Sequence, residues 1–443
     1  MLNDLTLTEL GARLRDGRLS PLDLEAEARA ANTHGAYVHV NAERSMLLAA
    51  SADAAFSAGV DLGPLQGIPV SIKDLYGVPG FPTAAGSPRR LPAAWERPGP
   101  VVARALGQLA VVMGKTHTVE FAFGGLGTNP HHPTPRNPCD PETPRAPGGS
   151  SAGAGVSLAE GSALVALGTD TAGSVRIPAS WTGQVGLKTT RGRWSTDGIV
   201  PLSTTLDTAG VLTRTVADLR VAFGALDPEA GEDIEPVEVS ALRLGRPDEL
   251  VYDGCSPGVA EAVEAALGTL AARGARVERV ALPEVNEAYA LFNVGGPVAT
   301  ELYQFLSEDL PAWLAGLDPN VRARLAGAGE LPAHEYLRRL RAMARLAASA
   351  AERLRPVDVV VTPTVANTPP PLAEIATPEG YRAANGLCLR NTGVVSYLGL
   401  CAVTLPVGRD AAGMPVGMQL VGRPGSEPRL LAVAAAIERA LAG

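Results

Sequence analysis

Arg145-Ala-Pro-Gly-Gly-Ser-Ser-Ala-Gly-Ala-Gly155 and Leu167-Gly-Thr-Asp-Thr-Ala-Gly-Ser-Val-Arg176 are two serine-bearing glycine turns around which the rest of this sequence is organised. Between them lies an apolar run, residues 156–167, which is long enough for a helix and rich in small residues. Glycines beside a serine let the backbone aim its hydroxyl or the neighbouring N–H groups at a substrate. A flexible Gly/Ser linker is disfavoured because linkers lack such apolar flanks. We interpret the two turns as an active site.

Composition narrows the class of protein. The 443 residues suit a large α/β enzyme, and the net charge of −8 argues against nucleic acid as a direct partner. The four cysteines are scattered without metal-ligand spacing, which favours reduced thiols in a cytoplasm and indicates no metal. The N-terminal residues lack the basic and apolar regions of a signal peptide, and no apolar run reaches the length of about 18 residues that spans a membrane. We therefore expect a cytoplasmic enzyme without cofactor, metal or membrane contact.

Lysine is scarce in this chain. Only three of the 38 basic residues are lysines, namely Lys73, Lys115 and Lys188. A buried lysine can become a neutral amine base, whereas arginine stays protonated in practice. A packing or hydrogen-bonding role remains open for each of the three.

Helix and strand patterns alternate along the chain. Helix starts are predicted at Thr6, Ser20 and Thr215, and a longer helix from His334 to Leu354. The apolar stripe of that longer helix is predicted at Leu337, Leu340, Ala344, Ala347 and Ala351. Strands are predicted at 67–74, 110–113, 275–282, 358–362 and 401–405, and an acidic linker at about 227–238. This alternation predicts an α/β fold with a mostly parallel or mixed sheet.

Three kinds of chemistry could use the glycine turns. Gly149-Ser-Ser-Ala-Gly153 matches the G-x-S-x-G pattern of a Ser-His-Asp triad around Ser151. That pattern needs a strand running into it and a late histidine, but prolines precede it and the last histidine, His334, lies in a predicted helix. A phosphate-binding loop is excluded because no Gly-Lys-Ser/Thr closes the turn. A serine nucleophile activated by a lysine remains.

The sequence resembles the amidase signature family over essentially its whole length, most strongly from Gly67 to Asp218. The resemblance is carried by Gly148-Gly-Ser-Ser151, Asp170-Thr-Ala-Gly-Ser-Val-Arg-Ile-Pro-Ala179, Val185-Gly-Leu-Lys188 and the upstream Pro-Val-Ser-Ile-Lys73-Asp. It implies a single α/β domain over residues 1–443, with a central mixed β-sheet flanked on both sides by helices. A signature core at about 66–220 and a variable, substrate-facing region at about 225–355 are also implied.

The resemblance also implies a Ser-cis-Ser-Lys triad. Ser174 would be the acylated nucleophile, and Ser150, reached through a cis peptide from Gly149, would relay its proton to a neutral Lys73. The oxyanion hole would be formed by the backbone N–H groups of Thr171, Ala172, Gly173 and Ser174. The substrate-binding residues would be Gly124 and Ser150. In one respect the chain departs from the family, which commonly has two glycines before the nucleophile where this chain has Ala172-Gly173.

Two functions follow from the resemblance. The first is a free-standing amide hydrolase that cleaves a carboxamide C–N bond of a small molecule and releases ammonia or an amine. The second is the glutaminase-type A subunit of a tRNA-dependent amidotransferase, which works with partner subunits. No direct contact with nucleic acid is expected, and a homodimer is left open. The walls that select the acyl group are expected in residues 225–355 and 366–397.

Overall fold

The computed structural model describes residues 5–229 and 235–442, and its strands join in one mixed sheet. The strands of the described residues are β1 (Tyr37–Val40), β2 (Pro69–Lys73), β3 (Val111–Thr116), β4 (Val165–Asp170), β5 (Val185–Lys188), β6 (Thr208–Thr213), β7 (Arg243–Pro247), β8 (Arg276–Val280), β9 (Val359–Pro363), β10 (Cys401–Arg409) and β11 (Pro415–Gly422). The five predicted strands correspond to β2, β3, β8, β9 and β10.

Helices cover this sheet. Those of the described residues are α1 (Leu7–Arg15), α2 (Pro21–Ala31), α3 (Ala42–Ser57), α4 (Pro100–Gly107), α5 (Ala152–Glu160), α6 (Arg176–Trp181), α7 (Val216–Leu226), α8 (Val259–Ala272), α9 (Glu284–Asn293), α10 (Val298–Asp309), α11 (Pro319–Leu325), α12 (Ala333–Arg353), α13 (Pro378–Tyr397) and α14 (Glu427–Ala442). Strands β2, β3, β4, β6 and β11 contain only buried residues, which requires cover on both faces of the sheet.

The sheet order is β1-β3-β2-β4-β6-β5-β10-β11-β9-β7-β8. Strand β2 pairs in parallel with β3 and β4, and β7 pairs in parallel with β8 and β9, whereas the other pairings are antiparallel. The predicted α/β fold with a central mixed sheet is therefore confirmed. Because β2 and β4 are parallel neighbours, their carboxyl ends meet at one edge of the sheet, where Lys73 and Asp170 end their strands.

The predicted helix starts are confirmed by their caps. Thr6 and Glu9 form a capping box, in which the Glu9 N–H donates to Thr6 Oγ1 (3.3 Å) and the Thr6 N–H donates to Glu9 Oε2 (2.8 Å). Ser20 caps α2 through the N–H of Leu22, and Thr215 caps α7 through the N–H of Asp218. These local side-chain contacts define where each helix begins.

The apolar run 156–167 is not the single helix that its composition predicts. Helix α5 ends at Glu160, and Gly161 follows in the left-handed conformation with φ +85°. Strand β4 then begins at Val165, beside β2. Glycine adopts this conformation without strain, so Gly161 ends the helix inside a run whose length alone would suit a single helix.

The long helix α12 lies where the sequence predicts it, but the prediction of its buried face is wrong. Met343, Leu346 and Ala350 are its buried residues, whereas Leu337 is 49% exposed. The predicted stripe included Leu340, Ala344 and Ala347, which line a surface groove beside that face. Tertiary packing selected a neighbouring face of a helix that is rich in alanine on several sides.

Two further findings concern the described residues only. Of the predicted acidic linker at 227–238, residues 230–234 lie outside the described residues, and residues 235–238 have no regular structure. No helix within 5–229 and 235–442 combines the length and apolarity needed to cross a bilayer.

Candidate active site

Lys73 lies at the carboxyl end of β2 and is completely buried. Its amine nitrogen Nζ is 2.7 Å from Ser150 Oγ and 2.7 Å from Thr169 Oγ1. Burial lowers the pKa of Lys73 to about 7, although the carboxylates of Asp207 and Asp170 oppose this effect. A substantial fraction of this amine is therefore neutral near neutral pH and able to accept a proton.

The other two lysines make different contacts. Lys115 pairs with the Asp74 carboxylate at 3.1 Å and also donates to Thr83 Oγ1 at 2.9 Å. Lys188 donates to the backbone carbonyls of Thr189 (3.1 Å) and Leu400 (3.0 Å). Among the lysines, only Lys73 contacts a serine hydroxyl.

Ser150 stands in the loop before α5. The Gly149–Ser150 peptide bond is cis, as the family resemblance implies. Backbone contacts hold the loop, because the Gly149 N–H donates to Gly125 O (2.8 Å) and the Val119 N–H donates to Ser150 O (3.2 Å). A Cβ atom on Gly149 would lie 2.6 Å from the Gly127 nitrogen, so only glycine fits at this crossing of two chains.

Ser174 follows β4 through the turn 171–173 and is 4% exposed. The turn contains Gly173 with φ +139°, and a Cβ there would meet Thr392 Oγ1 at 2.2 Å. The Ser151 N–H donates to Ser174 O (3.2 Å), which joins this turn to the loop of Ser150. The two glycine turns that the sequence singled out are thus brought together, with Lys73 beneath one of them.

Of the four N–H groups expected in an oxyanion hole, one is already engaged. The Gly173 N–H donates to Asp170 Oδ1 at 2.7 Å. No hydrogen bond to the described residues is made by the backbone N–H groups of Thr171, Ala172 and Ser174. The turn is held further by Thr392 Oγ1, which donates to Ala172 O at 2.7 Å.

Asp207, which the sequence did not single out, lies half-buried close to this turn. One of its carboxylate oxygens accepts from Thr171 Oγ1 (2.5 Å), and the other accepts from the N–H groups of Leu202 (2.9 Å) and Ser203 (3.0 Å). Burial raises the pKa of Asp207 to about 6. Asp207 thereby connects the turn of Ser174 to a separate loop and adds negative charge near Lys73.

The turn of Ser174 is supported from below by a buried ion pair. Arg176 donates to both oxygens of Asp170, from Nε at 3.0 Å and from Nη2 at 2.8 Å, and both side chains are fully buried. Although burial alone would raise it, the pKa of Asp170 is held below its ordinary value, with the charge of Arg176 as the strongest opposing cause. The stabilisation by this carboxylate is therefore lost as the pH falls through that lowered pKa.

Replacing Arg176 with methionine is expected to lower the free energy of unfolding by about 3–5 kcal/mol, because it leaves Asp170 buried without its partner. Urea unfolding followed by circular dichroism measures the change. The matched control is Arg355→Met, since Arg355 pairs with Glu352 on the surface at 2.8 Å, and such pairs contribute about 1 kcal/mol or less. Equal losses in the two variants would contradict a structural role for the Asp170–Arg176 pair.

Ser151, the centre of the G-x-S-x-G pattern, makes no hydrogen bond to a histidine in the described part of the chain. Its Oγ donates to Thr169 O at 3.3 Å, and the side chain is completely buried. The Ser-His-Asp interpretation therefore lacks its base.

No group of three or more His, Cys, Asp or Glu residues within 5–229 and 235–442 is arranged to hold a metal ion.

A cavity of about 310 Å³ opens beside Ser174. It is lined by Ala122, Phe123, Gly124, Thr171, Ala172, Ser174, Leu202, Phe292, Asn293, Gly295, Val298, Ala299, Arg324, Arg382, Asn385, Gly386, Leu389 and Tyr397. Gly124, which was expected near the substrate, lies in this wall, and a Cβ on it would approach Tyr381 Oη to 2.6 Å. The sequence analysis did not name the individual wall residues that follow Leu202 in the chain. Helical segments far apart in sequence supply them, and no local pattern marks these residues.

Comparisons with known proteins extend these observations. The Amidase family model matches residues 24–431. A 2-amino-5-chloromuconic acid deaminase from Comamonas testosteroni is 53% identical over 441 residues, covering 98% of this chain and 96% of the deaminase. The glutamyl-tRNA(Gln) amidotransferase A chain from Chloroflexus aurantiacus is 32% identical over 485 residues, covering 99% of this chain and 97% of that relative. A crystal structure of an amidase matches with a TM-score of 0.88 and 32% identity, covering 99% of this chain and 100% of the other.

Proposed function

Because this chain belongs to the amidase signature family and is an amide-hydrolysing enzyme, we propose that it cleaves a carboxamide C–N bond through an acyl-enzyme on Ser174. The observation that carries the proposal is the 2.7 Å contact between Lys73 Nζ and Ser150 Oγ, in a site whose cavity is lined by Ser174. A neutral lysine, a serine hydroxyl in contact with it and a second serine in the cavity wall are groups that acyl transfer can use.

In the proposed reaction, Ser150 gives its proton to the neutral amine of Lys73 and takes one from Ser174. The Ser174 Oγ then attacks the amide carbon, and the C–N bond breaks as the proton returns from Lys73 through Ser150 to the leaving nitrogen. Water, deprotonated by the same relay, hydrolyses the ester to release the carboxylic acid. The net reaction consumes one water and yields one acid and one ammonia or amine.

The developing oxyanion is proposed to bind the N–H groups of Thr171, Ala172 and Ser174, which have no acceptor among the described residues. Gly173 contributes the left-handed backbone that turns these groups, while its own N–H is held by Asp170. Thr169 supports the base, since its hydroxyl is the second group within 2.7 Å of Lys73 Nζ. Because the Thr171 hydroxyl is bonded to Asp207 and the Ala172 carbonyl to Thr392, the turn is preorganised before substrate binds.

The second candidate is the glutaminase-type function of the amidotransferase, favoured by relatives that are 30–33% identical over nearly the whole chain. The relative that is 53% identical is instead named a deaminase of 2-amino-5-chloromuconic acid. We therefore favour a free-standing enzyme, with ammonia as the leaving group. A homodimer remains a prediction.

We expect the purified chain, without added proteins, to release ammonia from at least one small amide. A panel of aliphatic, aromatic and acidic amides, with glutamine included, is to be assayed by coupled ammonia detection. Ser174→Ala at the same concentration controls for contaminating amidases. Ammonia from glutamine alone, and only when the other amidotransferase subunits are added, would support the second candidate instead.

A further inference from the structure

The cavity beside Ser174 has an uneven charge. Its lining residues include two arginines, Arg324 and Arg382, and contain neither aspartate nor glutamate. A small cavity whose only formal charges are positive attracts anions and repels cations. The arginines belong to different helices, α11 and α13.

Arg324 is fixed in position but keeps most of its hydrogen-bonding capacity. Its guanidinium carbon is 3.8 Å from the centroid of the Phe123 ring, and its Nη1 donates to Phe123 O at 2.9 Å. A guanidinium has five N–H donors in a planar fork, and this contact with Phe123 O is its one hydrogen bond to the described residues.

No carboxylate in the described part of the chain forms an ion pair with Arg324. The titratable groups whose charge acts on it are Tyr381, Cys388 and Tyr397. Burial raises the pKa of Tyr381 to about 12 and also raises the pKa values of Cys388 and Tyr397, so all three are neutral at physiological pH. The Arg324 side chain is partly buried, and a ligand carboxylate would offset the cost of removing an unpaired cation from water.

Arg382 occupies a different part of the wall. Its side chain is exposed while still lining the cavity, which places it at the entrance. No carboxylate in residues 5–229 or 235–442 pairs with it. An exposed arginine at an entrance draws an anion inward, whereas the more buried Arg324 can bind the anion in two-point geometry.

We propose that this cavity selects an amide that also carries a carboxylate, with Arg324 as its binding residue and Arg382 assisting at the entrance. The inference rests on the proposed acyl-enzyme chemistry at Ser174. Because Ser174 and Arg324 line one cavity of about 310 Å³, the substrate class is a short monoamide of a dicarboxylic acid. Hydrolysis with one water then yields the dicarboxylate and ammonia.

The test compares an acid and an uncharged amide of the same chain length. Adipamic acid and hexanamide are assayed by ammonia release in the wild type, Arg324→Met, Arg324→Lys and Arg382→Met. We expect the wild type to prefer adipamic acid in kcat/KM by about 10- to 100-fold, the range of a charge-assisted hydrogen-bonded pair. Arg324→Met should remove most of this preference, mainly through KM, and Arg324→Lys should keep part of it.

Arg322→Met is the matched control, since Arg322 lies on the same helix, does not line the cavity and donates to the carbonyls of Ala315 and Leu317. It removes one positive charge without altering the cavity wall, so the ratio of the two substrates should stay as in the wild type. Absence of a wild-type preference for the acid, or an equal preference in Arg324→Met, would overturn the proposal.

A binding measurement separates this inference from the chemistry on which it rests. Calorimetric titration of adipate into Ser174→Ala should show binding that is at least about tenfold weaker in Ser174→Ala/Arg324→Met. If Ser174→Ala keeps turnover while adipate binding still depends on Arg324, the proposed function fails and the carboxylate site stands. If Ser174→Ala is inactive but adipate binding does not depend on Arg324, the carboxylate site fails alone.

Discussion

Ser174→Ala is expected to lower kcat by about 10⁴-fold or more, because no other hydroxyl can form the acyl-enzyme at this position. The Oγ atom of Ser174 makes no hydrogen bond to the described residues, so its removal should leave the free energy of unfolding nearly unchanged. Steady-state kinetics and a thermal melt of the same sample test both statements.

Labelling gives an independent measurement of the same prediction. A serine-directed fluorophosphonate should add one group to the wild type, and peptide mass spectrometry should find it on Ser174. Ser151→Ala is the control, because Ser151 lies in the first glycine turn and its Oγ donates to Thr169 O. An adduct on Ser151, or full turnover by Ser174→Ala, would transfer the nucleophile to the G-x-S-x-G pattern.

The second large effect concerns Lys73. Below its lowered pKa of about 7 the amine is protonated and cannot accept a proton, so kcat/KM should rise with pH through about 7 and then level off. Lys73→Arg should lose nearly all turnover at every pH, since a guanidinium keeps the positive charge but cannot act as the base. A pH–rate series from about pH 5.5 to 10 with a small amide measures both.

Two controls test this assignment. Burial also raises the pKa of Glu120 to about 7, and Glu120→Gln removes that titration while the amide group can still accept the N–H of Asp318. The midpoint near pH 7 should persist in this variant. Lys115→Arg keeps the charge opposite Asp74 and should keep the reaction if its melting temperature is retained. Turnover by Lys73→Arg, or a flat profile, would rule out Lys73 as the base.

The residues nearest the proposed chemistry could be singled out in the sequence because the patterns that mark them are local. Glycine turns, a serine within each and a lysine at the end of an apolar strand are all visible in short windows, and the structure brings Lys73 and Ser150 into contact. The cis bond before Ser150 was expected only from the family resemblance.

The cavity wall was beyond such reasoning. Arg324 and Arg382 lie 58 positions apart in the chain and on different helices, and neither position differs by pattern from other surface arginines. The prediction of the buried face of α12 was wrong for the same reason. Several faces of this helix are apolar enough to pack, and contacts with the neighbouring helices determine which one is buried. What a side chain contacts across the fold depends on packing that a single element does not encode.

The burial of all three lysines has a practical consequence for covalent labelling. Lys73 and Lys115 are 0% exposed and Lys188 is 1% exposed, so the folded chain presents no lysine amine to solvent. Reagents such as succinimidyl esters and glutaraldehyde react with accessible amines. They therefore should not modify the lysines of this protein until it unfolds. Conjugation to a support or a dye must use another reactive group. The extent of lysine acylation then measures the fraction of unfolded molecules.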